Sequence, residues 1–191
     1  MPSKKILTPI IPGATYHIFN RGNNHEKVFI DRIDYDLFLV KFRQYMTPVA
    51  DVFAYALLPN HYHLLLRINE DIEGTEFSHQ FKRFMLSYTN LLNKRENRSG
   101  NLFLNVFKRL RVTEKDYLMR LLFYIHFNPQ KHKVLDRFQD YDYSSYKSLI
   151  SNLPTLLKRE EVLSWFDGRE EFIAYHKNLQ NEEVLKHLIM E

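Results

Sequence analysis

Two apolar, β-prone runs, residues 49–58 and His61–Ile68, stand on either side of Pro59-Asn60. A two-residue connection leaves no room for a crossover, so the runs must fold back on each other as an antiparallel hairpin. The second run begins His61-Tyr62-His63, and side chains two apart on a strand point the same way. Both imidazoles therefore leave one face of the hairpin together, while Tyr62 and Leu64 enter the core. Neutral imidazole is the commonest protein ligand for divalent metals, so the pair can supply half of a small coordination sphere. The same spacing also suits a solvated polar face.

The rest of the chain can be read around this hairpin. Residues 14–20 alternate and are rich in β-formers, and Arg21-Gly22-Asn23-Asn24 ends them with a turn. Tyr35, Phe38, Leu39, Phe42, Tyr45 and Met46 recur at helical spacing after Asp31, a suitable cap, and before Pro48, a stop. A longer helix follows Gly74-Thr75, with Phe77, Phe81, Phe84, Met85, Tyr88, Leu91 and Leu92 on its apolar side and Lys82 and Arg83 on its polar side. Residues 106–113 read as a fourth strand. A third helix then opens at Thr113 or Glu114, buries Tyr117, Leu118, Leu121, Leu122 and Ile125, and is expected to end at Pro129, which disfavours helical geometry at Asn128. Strand, helix, strand, strand, helix, strand is the order of the split β-α-β, ferredoxin-like core: an α+β fold with an antiparallel sheet, helices on one face and the other face open to a ligand. The tyrosine-bearing third helix follows that core. Beyond it, 143–150 suggest a short serine-capped helix, Pro154 a linker, and 158–166 and 168–190 two more helices, with Asp167 capping the last. The expected division is a unit at 14–150 and a helical C-terminal extension at 151–191.

Composition narrows the chemistry. The chain has no cysteine, which excludes disulfides and thiolate metal sites and suits a reducing, cytoplasmic setting. No apolar run reaches membrane-spanning length. The net charge is only +4, but it is unevenly placed. Between positions 82 and 111 stand Lys82, Arg83, Lys94, Arg95, Arg98, Lys108, Arg109 and Arg111 against one acid, Glu96, whereas 158–191 hold five basic and eight acidic residues. A basic middle suits a nucleic-acid backbone, and equally a solvated surface. An acidic tail suits a cover over that middle.

If the third helix crosses the hairpin so that Tyr124 faces the histidines, Asn128 lies one turn further on the same side. A tyrosine, two imidazoles and an amide then converge. Such a set suits phosphodiester chemistry, in which a phenolate attacks phosphorus and a metal polarises a phosphoryl oxygen. Taken singly, Tyr124 also reads as an ordinary helix-end aromatic and Asn128 as capping chemistry.

The ordered segments Tyr16-His17-Ile18-Phe19-Asn20-Arg21-Gly22-Asn23-Asn24, Leu58-Pro59-Asn60-His61-Tyr62-His63-Leu64-Leu65-Leu66, Arg98-Ser99-Gly100, Tyr124-Ile125-His126-Phe127-Asn128-Pro129 and Tyr143-Ser144-Ser145-Tyr146 together resemble the REP-associated tyrosine transposases. These are single-tyrosine members of the HUH single-strand DNA transposases. The resemblance covers residues 14–150, which it makes the catalytic domain. It implies cleavage and rejoining of single-stranded DNA beside a hairpin through a 5′-phosphotyrosine intermediate, with Mg²⁺ or Mn²⁺. Arg21, Asn23, Lys82, Arg83, Arg98, Lys108, Arg109 and Arg111 are the candidate DNA contacts, and the resemblance implies Tyr124 as nucleophile and His61, His63 and Asn128 as metal ligands. It leaves open whether the chain acts alone or as a homodimer. The chain departs from the family after Asn128-Pro129, where Gln130-Lys131-His132-Lys133 replaces a small residue followed by arginine. The alternatives are a catalytically silent hairpin-binding protein and a plain RNA-binding domain, for which this chain lacks the expected glycine-aromatic strand motif.

Overall fold

The computed structural model describes residues 8–179. Four strands, β1 (Thr15–Arg21), β2 (Ala50–Leu58), β3 (His61–Ile68) and β4 (Lys108–Val112), form one sheet in the order β2-β3-β1-β4. Every pairing is antiparallel, so the sheet has the ferredoxin-like arrangement. Helix α1 (Arg32–Met46) runs between β1 and β2, and α2 (Gly74–Arg95) between β3 and β4. Asp31 caps α1 through a reciprocal box with Asp34, which satisfies amides at the helix start that have no partner within the helix. Arg95 of α2 bridges to Asp31 and Asp34, locking the two helices side by side.

Cross-strand partners share a face. Tyr62, Leu64 and Leu66 of β3 face α1 and α2, with Tyr62 against Phe38 and its hydroxyl reaching Met85. His61, His63 and Leu65 take the other face, in register with Arg21, Phe19 and His17 of β1. That face is not left open, as one-sided packing would have it. Helix α3 (Lys115–Lys131) lies across β2 and reaches β3, because residues 121–129 are all buried and need apolar cover on more than one side.

Two differences from the sequence expectation bear on the site. Pro129 does not end α3; the helix continues to Lys131 with the proline inside it. In the last turn the ring deprives only the Ile125 carbonyl of a helical donor, and Asn128 keeps helical geometry, so its backbone oxygen accepts from His132. Tyr124, Asn128 and His132 thus stay on one side of one helix. The C-terminal segment is the second difference: α4 (Tyr146–Ile150) and α5 (Arg159–Ser164) are shorter than expected, and α6 (Arg169–Asn178) follows them. Asp167 does not cap α6, which starts after Gly168 without a side-chain cap. The part of the expected last helix beyond 179 lies outside the described residues.

The described part of the extension packs into the main core through Leu157, Val162, Leu163, Phe166 and Phe172. Tyr143 to Ser145 bind along the outer edge of β2 through Leu57 N to Tyr143 O and Ser145 N to Tyr55 O, both 2.9 Å, closing an otherwise open strand edge. Arg67 joins Asp51 of β2 to Glu161 of α5. None of the described residues beyond 132 lines the cavity beside the histidines, and the described part of the extension buttresses the sheet and α3. No helix among the described residues is long and apolar enough to cross a membrane.

Candidate functional site

His61 opens β3 half buried, and His63 is fully buried two residues on. Their rings stand 5.2 Å apart at 86°. Each Nδ1 is engaged by a neighbour: His61 Nδ1 lies 2.7 Å from Asn60 Oδ1, and His63 Nδ1 lies 2.9 Å from Nε2 of His17. An amide oxygen only accepts, so His61 carries its proton on Nδ1 and its lone pair on Nε2. The His17–His63 contact admits two tautomers. The one in which His63 Nδ1–H donates to His17 places the His63 lone pair on Nε2 too. Outer partners of this kind fix the orientation and tautomer of ligating imidazoles.

Tyr124 comes down from α3 onto this pair. Its ring meets His63 edge-on at 5.7 Å and 84°, and His17 at 6.5 Å and 82°. The tyrosine is 1% exposed. Lys131, seven residues on, lies over the same ring with Nζ 4.8 Å from its centre and donates to the phenol oxygen at 3.3 Å. Asn128 is buried; its Nδ2 donates to the Tyr124 carbonyl at 2.9 Å, and its buried Oδ1 has no hydrogen-bond partner. A buried acceptor left in that state is costly unless a ligand supplies the donor or the cation.

Beside the histidines opens a cavity of about 430 Å³ whose walls include Arg21, His25, His61, His63, Lys108 and His132. No carboxylate among the described residues lines it. Converging cationic and imidazole groups without a countercharge favour an anion. His132 stands on the cavity rim with its ring 4.7 Å from that of His61.

The basic residues of the middle segment do not gather here. Alternation along β4 puts Lys108 on the histidine face, over the Phe19 ring at 5.4 Å. The same alternation turns Arg109 and Arg111 to the opposite face, where Arg109 donates to the Thr8 carbonyl. Lys82 and Arg83 project from α2, beyond the far face of the sheet, and Arg83 lies over Tyr45. Arg98 pairs with Glu26 at 2.9 Å. Arg21 lines the cavity; Asn23 sits in the short turn after it, Asn23–His25, with its amide bonded to Leu102 O.

His17, His25, Lys131 and His132 join the site without a local sequence signal that singles them out. His17 and Phe19 share a parity on β1, but only the pairing of β1 with β3 shows that this parity faces His63. A helix ended by Pro129 puts Lys131 and His132 beyond its last turn, whereas the continued helix brings both to the site.

Imidazole is a borderline ligand for divalent cations, and the unpartnered Asn128 oxygen is an oxygen donor on the same helix as Tyr124. Among the described residues no group of three or more His, Cys, Asp or Glu could hold a metal. Two protein imidazoles would therefore need an amide, water or a phosphate oxygen to complete the shell.

No family model and no curated protein matches the chain. Among solved structures, a REP-associated tyrosine transposase bound to a REP hairpin superposes with a TM-score of 0.64 at 16% identity, over 81% of this chain and 89% of that one. The chain has the fold of a REP-associated tyrosine transposase. At this identity the likeness speaks for the fold alone. A protein of Deinococcus radiodurans, provisionally described as a transposase, aligns at 17% identity over 63% of this chain and 92% of that one, and its TM-score of 0.38 carries no argument.

Proposed function

We propose that the chain is a transposase-type enzyme that cleaves and rejoins single-stranded DNA beside a hairpin, with Tyr124 as the nucleophile. The observation that carries this reading is the packing of the Tyr124 ring on His63, beside a cavity walled by cationic and imidazole groups without a carboxylate. The hairpin bound to the neighbouring transposase supports the choice of DNA.

The chemistry conserves atoms simply. The Tyr124 hydroxyl loses its proton to solvent, its oxygen bonds to phosphorus, and the P–O3′ bond breaks. The departing 3′ oxygen takes up a proton, and a 5′-phosphotyrosine remains. Attack by a 3′-hydroxyl on that ester reverses the sequence and joins strands. His61 and His63 through Nε2, with Asn128 Oδ1 as a further donor, would hold Mg²⁺ or Mn²⁺; when bound, the cation polarises the phosphoryl oxygen and stabilises charge on the departing one. Arg21 and Lys108 bind the backbone phosphates entering the cavity, and His17 orients His63.

Labelled single-stranded hairpin oligonucleotides incubated with Mn²⁺ test the proposal on a denaturing gel. Wild type should give a protein-linked band, and Tyr124→Phe should lose it while retaining binding. A band that persists in Tyr124→Phe would show that another residue is the nucleophile. The near-complete burial of Tyr124 favours a second reading, a hairpin-binding protein without cleavage. Tight binding with no adduct from any hairpin would select it.

A further inference from the structure

The proposed reaction gives Lys131 no role, although this lysine touches the nucleophilic oxygen. It is the last residue of α3, two turns beyond Tyr124, and is half buried. Its Nζ makes two contacts with one side chain: a hydrogen bond to the Tyr124 oxygen at 3.3 Å and a cation–π contact at 4.8 Å from the ring centre. A lysine whose sole task was to bind DNA phosphate would gain by extending into solvent or into the cavity, whose walls include His132 and Lys108 but not Lys131. Here the ammonium is turned back onto the phenol. The helix holds it there because Pro129 does not break α3; had the helix ended at Asn128, the i to i+7 relation would be lost.

We propose that Lys131 is a catalytic residue that stabilises the charge on the Tyr124 oxygen as that oxygen gains or loses its bond to phosphorus. This inference rests on Tyr124 being the nucleophile. In the forward direction the phenol O–H proton goes to solvent, the O–P bond forms and the P–O3′ bond breaks. Lys131 stays an ammonium throughout and transfers no proton. In the reverse direction a 3′-hydroxyl attacks, the tyrosine O–P bond breaks, and the same ammonium receives the departing phenolate. A donor already aimed at the oxygen that carries charge in the transition state needs little rearrangement during reaction, and removing one such donor costs about 100-fold to 1,000-fold in rate. Tyr124 is also held against rotation, since Lys131 engages both its ring and its oxygen.

The test compares wild type, Lys131→Met, Lys131→Arg and Tyr124→Phe with a labelled hairpin oligonucleotide. Single-turnover adduct formation is followed at saturating protein with Mn²⁺, and hairpin affinity is measured without metal over a salt series. The expected result is a fall of about 100-fold in the adduct rate for Lys131→Met, with affinity and its salt slope unchanged and most of the rate restored in Lys131→Arg. A merely structural role would not give recovery by arginine at constant affinity. An unchanged rate at saturation, with weaker binding and a salt slope lower by about 0.7 to 0.9, would make Lys131 a phosphate contact and overturn the proposal. An adduct that is lost in Tyr124→Phe but forms at the wild-type rate in Lys131→Met overturns this inference alone. No adduct from wild type overturns it together with the nucleophile assignment.

Discussion

Lowering the pH from 6.5 to 5 should weaken the fold through His176, which anchors the tyrosine helix from behind. His176 Nδ1 donates to the Phe172 carbonyl at 2.8 Å, so its Nε2 must accept, and His126 Nδ1–H of α3 donates to it at 2.9 Å. His126 Nε2 in turn accepts from the Ser145 hydroxyl at 2.7 Å. In this arrangement every ring nitrogen is satisfied with both imidazoles neutral. Both are fully buried, and the rings around His176 are Phe123, Phe138, Tyr146, Phe166, Phe172 and Tyr175. Burial pushes His176 down to about 3, and burial followed by the neighbouring His176 holds His126 well below its ordinary value. In the unfolded chain both titrate near 6.5. Between that value and the folded one the unfolded chain binds more protons, so stability is full above 6.5 and falls as the pH drops. One pH unit is worth about 1.4 kcal/mol for each group, so His176 alone accounts for about 2 kcal/mol by pH 5. That is a large share of a typical total of roughly 5 to 15 kcal/mol. Denaturant melts of wild type and His176→Phe at pH 7, 6 and 5 measure the effect. Phenylalanine suits the aromatic surroundings but leaves the His126 N–H without an acceptor, a cost of about 1 to 3 kcal/mol at pH 7. The gap between the two proteins should narrow by about 2 kcal/mol on going to pH 5. Taking the difference cancels the carboxylates and the histidines outside this pair. A gap independent of pH would refute the reasoning, because it would mean that His176 is protonated equally easily folded and unfolded.

His17→Phe keeps a buried ring beside Phe19 but removes the partner of His63 Nδ1; Mn²⁺ affinity, read by electron paramagnetic resonance, should fall by about 10-fold to 100-fold, and unchanged affinity would deny His17 an orienting role. A Cβ at Gly22 would collide with the carbonyl oxygen of Glu26 and stand 2.9 Å from Val28 Cγ1. Gly22→Ala should therefore lower the melting temperature by several degrees, by roughly 1 to 3 kcal/mol of strain, and a thermal melt matching wild type would show that the turn relaxes freely. Lys108→Ala should weaken hairpin binding at low salt and reduce the salt slope by about 0.7 to 0.9, whereas Lys82→Ala, on the far side of the sheet, should leave both unchanged.

The local elements were legible because their causes are local. The hairpin at His61–Ile68 follows from a two-residue connection and alternation, and it puts His61 and His63 on one face wherever the hairpin lies. The capping box at Asp31 and the apolar stripe of α2 are likewise short-range patterns. The antiparallel core followed from the order of elements, since few topologies accept that order. What the chain could not show along its length is which parity of β1 faces which parity of β3. His17 became a neighbour of His63 only through a pairing 46 residues apart. The scattering of the basic residues has the same origin: charges close in sequence lie on opposite faces of β4, or beyond the sheet on α2, once the strand is paired and the helix packed. Pro129 is the converse case, a local rule overridden by tertiary packing. Burial of residues 121–129 keeps the last turn helical at the loss of one hydrogen bond, and so leaves Lys131 over Tyr124. Residue identity and spacing decided which side chains could do chemistry; strand register and helix packing, which depend on the whole core, decided which of them meet.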